Sequence, residues 1–285
     1  MKLKMLTLLA LLALSTGPAG ASKDRQTMQE TTTTTGTGDA KVVLHTTLGD
    51  ITLLLYGDTP RHRDNFLARV KAGDYDGVLF HRVIDDFMVQ GGDPSSKDAP
   101  KGKMLGAGDS GQPVEAEILY PAHYHHRGAL AAARQGDNVN PQRKSSGSQF
   151  YIVTGRKYSP AQLDQLEHQA LMRHKKEVFD KLCAENRDSI MSLRRNRDQA
   201  GLQALQDELV RQTEAKTAGD TIAFTPEMRE DYMRIGGTPH LDGAYTVYGK
   251  VLEGMDVVAK IEAAETDAND RPIEDIRITS AEVLD

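Results

Sequence analysis

The side chains that could do chemistry are concentrated in residues 80–93, FHRVIDDFMVQGGD. An arginine, two phenylalanines, a methionine, a glutamine and a double glycine fall there in two short runs. Residues 78–84 and 87–90 are rich in β-branched and aromatic types, which predicts two extended segments punctuated by Asp85 and Asp86. Alternate side chains of an extended chain share a face, so Met88 and Gln90 project together. Gly91 and Gly92 then permit a sharp turn out of the sheet. The expected site is an apolar pocket with one cation, Arg82, and one amide, Gln90, at its rim. Arg82 suits electrostatic work because it is permanently charged and presents a rigid fork of donors. The alternative is an ordinary buried hairpin in which Arg82 pairs with Asp85 or Asp86.

The elements that must position this segment are short. Residues 42–47 and 51–56 read as strands of a hairpin turning at 48–50. Pro60 opens a helix through 72, striped by Phe66, Leu67 and Val70 and ended by Gly73. Residues 93–112 are rich in Gly, Pro, Ser and Asp and predict a long loop. Further strands are expected at 114–118, 129–133, 149–153, 245–252 and 273–283, with a helix at 255–263. Many short strands with two helices favour a β-barrel over a sandwich or a nucleotide-binding sheet. Among these elements no Gly-rich phosphate loop opens a helix after a strand.

Four segments stand in a family's order: residues 80–93, 128–134 (GALAAAR), 147–154 (GSQFYIVT) and 240–251 (HLDGAYTVYGKV). Through them the chain resembles the cyclophilins, the peptidyl-prolyl cis/trans isomerases, from about residue 41 to 285 with one long interruption. The resemblance implies a mainly β fold with helices: a closed eight-stranded antiparallel barrel capped by two helices, with a hydrophobic groove for X-Pro peptides. Carried over by position, Arg82 resembles the catalytic arginine, and Phe87 and Met88 match pocket-wall positions. Gln90 matches the glutamine that holds substrate backbone, and Ala133 stands where the family bonds the peptide through its own backbone. Gln149 matches a second glutamine, Tyr151 replaces a pocket phenylalanine, and Leu241 matches the pocket leucine. Three rim positions depart from the best-known eukaryotic pattern: Arg134 for asparagine, His240 for tryptophan and Tyr245 for histidine. Loss of that tryptophan implies weak cyclosporin binding, since the indole contacts the drug in the family. The implied partners are proline-containing unfolded or exported polypeptides, and no cofactor or metal is expected. A second reading keeps the same groove as a proline-peptide-binding chaperone or scaffold, with the insertion as the main client contact.

The chain is 285 residues long with a net charge of −6, which disfavours nonspecific binding to nucleic acid. Residues 1–21 have the three parts of an export signal: Lys2 and Lys4, an apolar run at 6–14, and the small-residue site Ala19-Gly20-Ala21. That run is shorter than the about 20 residues a membrane span needs. Export to a periplasm is expected, with no span in the mature form; no cysteine follows the signal to carry a lipid anchor. Residues 22–40, with five consecutive threonines, read as a flexible tether. The single cysteine, Cys183, excludes an intramolecular disulfide and reads as a small helical residue.

Residues 159–235 form an insertion. Ser159 and Pro160 suit a helix start, and two leucine stripes (163, 166, 171; 202, 205, 209) flank a break near Gly201, predicting a helical hairpin. Over residues 161–218 ten basic and ten acidic side chains cancel, as on a solvated face. Its apolar edges leave a protein partner or self-association open. His123, His125 and His126 form a tempting cluster, with Glu115 and Glu117 as candidate companions. Ligand geometry is not fixed by such a run, and a loop or strand edge is the expected reading.

Overall fold

Period-two alternation builds the sheet that carries residues 80–93. The computed structural model describes residues 38–220 and 222–284. The segments expected to be an export signal, 1–21, and a tether, up to residue 37, lie outside the described residues; Ala40, assigned above to the tether, already begins the first strand. β1 (Ala40–Thr46) and β2 (Gly49–Leu55) pair antiparallel from Ala40↔Leu55 to Thr46↔Gly49. Val42, Leu44, Ile51, Leu53 and Leu55 are fully buried. Burying each such side chain contributes about 1.5–3 kcal/mol.

The remaining strands are β3 (Arg82–Ile84), β4 (Met88–Gly91), β5 (Ala129–Ala132), β6 (Phe150–Val153), β7 (Val247–Glu253) and β8 (Ile278–Leu284). They form one antiparallel sheet in the order β3-β4-β6-β5-β7-β2-β1-β8. The expected closed barrel is corrected here: the sheet is an open half-barrel whose edges are β3 and β8. β3 has only three residues, and the chain before it is irregular, with Gly77 at φ 83°. That segment reaches the other edge through isolated bonds, Gly77 N to Ile278 O at 2.8 Å and Phe80 N to Ile276 O at 2.9 Å. A continuous ladder does not form.

Two helices cover one face. α1 (Pro60–Lys71) starts on its proline and buries His62, Phe66 and Val70 at four-residue spacing. Gly73, at φ 69°, ends it as expected. The insertion supplies four more helices rather than a hairpin of two: α2 (Pro160–Glu185), α3 (Arg187–Arg195), α4 (Gln199–Lys216) and α5 (Pro226–Arg234). Ser159 and Gln162 cap α2 reciprocally, each side chain accepting from the other's backbone N–H. Asp198 caps α4 by accepting from Gly201 N at 2.8 Å, so the break precedes Gly201. α2 and α4 bury little beyond Leu163, Leu182, Leu209 and Thr213, whereas α5 plants Met228 and Tyr232 against Tyr124 and Leu163. The last helix, α6 (Met255–Glu262), buries Val257, Val258 and Ile261 under the sheet.

The other sequence expectations differ mainly at edges. Residues 114–118 make no strand; Val114 forms only a bridge with Ser145. Residues 273–277 precede the closing strand, which begins at Ile278.

Candidate active site

Alternation sorts the central strands between two clusters. Val89, Leu130, Ala132, Phe150, Ile152 and Tyr248 point into the main core beneath α1 and α6. Met88, Ala129, Ala131, Tyr151, Val153 and Val247 point the other way and form a second apolar cluster. Phe87, Ala133, Leu241 and Tyr245 pack against it, half-buried. The residues expected to line an apolar groove, Met88, Phe87, Tyr151 and Leu241, gather in this second cluster.

Register aligns the polar groups with it. Arg82 faces Gln90 across β3 and β4, Gln90 faces Tyr151 across β4 and β6, and Tyr151 faces Ala131. Arg82 Nη1 donates to Gln90 Oε1 at 3.4 Å, and Gln90 Nε2 donates to Gln149 Oε1 at 2.9 Å. Gln149 Nε2 in turn donates to the Gly106 carbonyl at 2.9 Å and to that of Gly108. A line of hydrogen bonds thus joins the cation to the loop at 106–108. Asp93 holds that loop from below, accepting from Gly106 N at 2.6 Å.

Arg82 does not pair with Asp85 or Asp86. Its Nε lies 3.6 Å from Asp270 Oδ2, and its side chain is 42% exposed. Solvent screening makes such a pair weak, about 0–1 kcal/mol. Most of its donors are free for a ligand. Asp270 escapes a reading of the sequence because it arrives from the segment before β8.

His240 and Leu241 form the far wall from a short 3-10 turn, Pro239–Leu241. The His240 ring stacks on Phe87 with centroids 5.6 Å apart. Tyr245 meets Tyr151 edge-on at 6.1 Å. Two positions that the resemblance places on the peptide already have partners within the chain. The Arg134 side chain is 4% exposed: it donates to the carbonyls of Ala244 and Gln135, pairs with Asp137 at 2.6 Å, and lies 4.4 Å over the Tyr245 ring. It therefore props the rim, and it pulls the Asp137 carboxyl below the ordinary range by hydrogen bonding. Ala133 spends its N–H on Gln149 O at 3.1 Å, and its carbonyl already accepts from Ser146 N at 2.8 Å. Only the second lone pair of that carbonyl remains for a peptide.

The histidine run disperses. His123 bonds Asp58 and stacks on Tyr56, and His126 Nδ1 meets the Arg127 carbonyl. Glu117 bonds His62 on α1, and Glu115 bonds Lys144. His125 alone turns toward the groove, where its Nε2 lies 3.0 Å from the Tyr151 hydroxyl. Among the described residues one acidic trio, Asp85, Asp86 and Glu262, could approach a common ion, but Glu262 is already paired with Arg127.

The open half-barrel is a cyclophilin-like fold, and comparison with known proteins agrees. The family model for cyclophilin type peptidyl-prolyl cis-trans isomerases matches residues 41–212 and 224–283. The chain belongs to that family. A provisionally named peptidyl-prolyl cis-trans isomerase of Staphylococcus epidermidis is 31% identical over 246 residues, covering 86% of this chain and 92% of the relative. A longer relative in Streptococcus pyogenes, provisionally named a bifunctional phosphatase/peptidyl-prolyl cis-trans isomerase, is 32% identical over 86% of this chain and 39% of its own length. A cyclophilin type isomerase of Cryptosporidium parvum superposes with a TM-score of 0.49 at 22% identity, covering 87% of this chain and 98% of that one.

Proposed function

We propose that the outer-face groove rotates X-Pro bonds of exported polypeptides, with Arg82 as its catalytic group. An X-Pro amide resists rotation because resonance gives it partial double-bond character, with a barrier of about 18–20 kcal/mol. Uncatalysed exchange takes about tens to hundreds of seconds, slow enough to limit folding. No covalent bond is made, so the site needs no nucleophile. It needs to bind the twisted amide better than either planar form. As the bond twists, the prolyl nitrogen regains its lone pair, and a donor aimed at it gains strength only then. Arg82 supplies that donor. Phe87, Met88, Tyr151 and Leu241 take the proline ring by apolar burial. Gln90, steadied by Arg82 and Gln149, holds the peptide backbone on the prolyl side.

One observation carries the reading: a half-exposed guanidinium is tethered to Gln90 at the lip of an apolar cluster, and no buried ion pair consumes it. The basic, apolar and small-residue parts of 1–21 support export, with a periplasm as the compartment. The assay that tests the reading is exchange spectroscopy on an Ala-Pro peptide. Catalytic amounts of the chain should accelerate cis/trans exchange, and an unchanged rate would overturn it.

A further inference from the structure

A buried line of hydrogen bonds runs from the groove floor into the insertion. Tyr151 is 5% exposed, yet its hydroxyl sits 3.0 Å from His125 Nε2. The His125 ring is 1% exposed, and its Nδ1 lies 3.0 Å from Asp242 Oδ1. The same oxygen accepts the His125 backbone N–H at 2.9 Å. The other oxygen, Oδ2, accepts the Tyr232 hydroxyl at 2.6 Å. A carboxylate only accepts, so the shared hydrogen at Nδ1 belongs to the imidazole, and Nε2 is left to pair with Tyr151.

The Asp242 side chain is 4% exposed and directly follows His240 and Leu241. Three parts are therefore joined through one carboxylate: the floor ring by way of His125, the wall turn by chain continuity, and α5 through Tyr232. Tyr232 is itself fully buried among Tyr124, Leu163 and Met228, so the insertion end of the line is anchored. Apolar packing alone tolerates several ring positions, whereas a directional buried chain with every member satisfied favours one. A plain phenylalanine would serve as apolar floor. This chain instead buries a hydroxyl, an imidazole and a carboxylate behind it.

We infer that Asp242, acting through His125, is a positioning residue that sets the Tyr151 floor and the His240–Leu241 wall for a prolyl ring, and that Tyr232 ties this setting to the insertion. The inference rests on the isomerase reading for what the groove holds. Its test is a double-mutant cycle in the full chain: Tyr232→Phe, Tyr151→Phe and both together. Each keeps its ring and removes one hydroxyl. The readouts are the dissociation constant of a succinyl-Ala-Ala-Pro-Phe anilide, from chemical-shift titration, and kcat and KM for its isomerisation. Tyr232→Phe should weaken binding about three- to tenfold, the usual range for one lost hydrogen bond, with KM rising and kcat held within about twofold. In the Tyr151→Phe background, where the line is already cut, the same change should cost less than about twofold. Unchanged affinity in Tyr232→Phe, or an equal factor in both backgrounds, would overturn the relay. A wild-type chain that binds the peptide without accelerating exchange would sink the isomerase reading alone, because the cycle is still judged on dissociation constants.

Discussion

Replacing Arg82 with alanine should separate catalysis from fold. The side chain starts β3, donates to Gln90 at 3.4 Å and lies 3.6 Å from Asp270. Neither contact is buried, so the stability cost should stay within about 1 kcal/mol. Removing a donor that acts only on the transition state of a water-excluded site typically costs about 2.7–4 kcal/mol. Arg82 is 42% exposed, and water weakens its field, which places the expected loss at or somewhat below the lower end. About 2–3 kcal/mol corresponds to a roughly 30- to 160-fold fall in kcat/KM. Arg82→Lys should fall between the two, since it keeps the charge and loses the fork. Exchange spectroscopy or a protease-coupled assay would read the rate, with a urea titration confirming the fold. If Arg82→Ala keeps more than about a third of wild-type kcat/KM, the guanidinium is not the group that loosens the amide.

Other outcomes follow from the same geometry. His81 precedes Arg82 in the chain, and burial pushes its imidazole down to about 4, against a partial pull upward from Asp93, with Arg82 and Arg271 pressing it lower still. The unfolded ring takes its proton near 6.5 and the folded ring only near 4, so stability is full above 6.5, falls between 6.5 and 4, and levels off below. That interval is worth about 3 kcal/mol at most, and urea midpoints of His81→Asn should fall less steeply than wild type across it; parallel profiles would refute the assignment. His240→Trp should raise cyclosporin affinity about tenfold or more, because the larger ring would extend the apolar wall that now ends on Phe87; calorimetry showing no gain would remove the wall from that role. Gln149→Ala cuts the link between Gln90 and the loop at 106–108, and should raise KM about three- to tenfold with little change in kcat.

Much of this protein is written locally. The pairing of Val42, Leu44, Ile51 and Leu53 on one face, the Pro60 and Ser159 helix starts, and the clustering of Arg82, Met88 and Gln90 follow from alternation, capping and turn chemistry, which operate over a few residues. The order of four motifs was enough to identify the family. Tertiary structure decided what depends on pairs distant in the chain. Whether the sheet closed depended on β3 meeting β8, and the three-residue β3 left an open edge. The number of helices in the insertion turned on Asp198 capping a new start ahead of Gly201, inside what composition suggested was one break. Arg134 became a prop for Tyr245 because Ala244 and Asp137 surround its guanidinium. His125, one of three histidines alike in sequence, faces the groove because Asp242 and Tyr151 arrive on either side of its ring. Spacing along a chain records which faces are apolar; it does not record which distant partner satisfies a buried polar atom, and that satisfaction is what fixed the site.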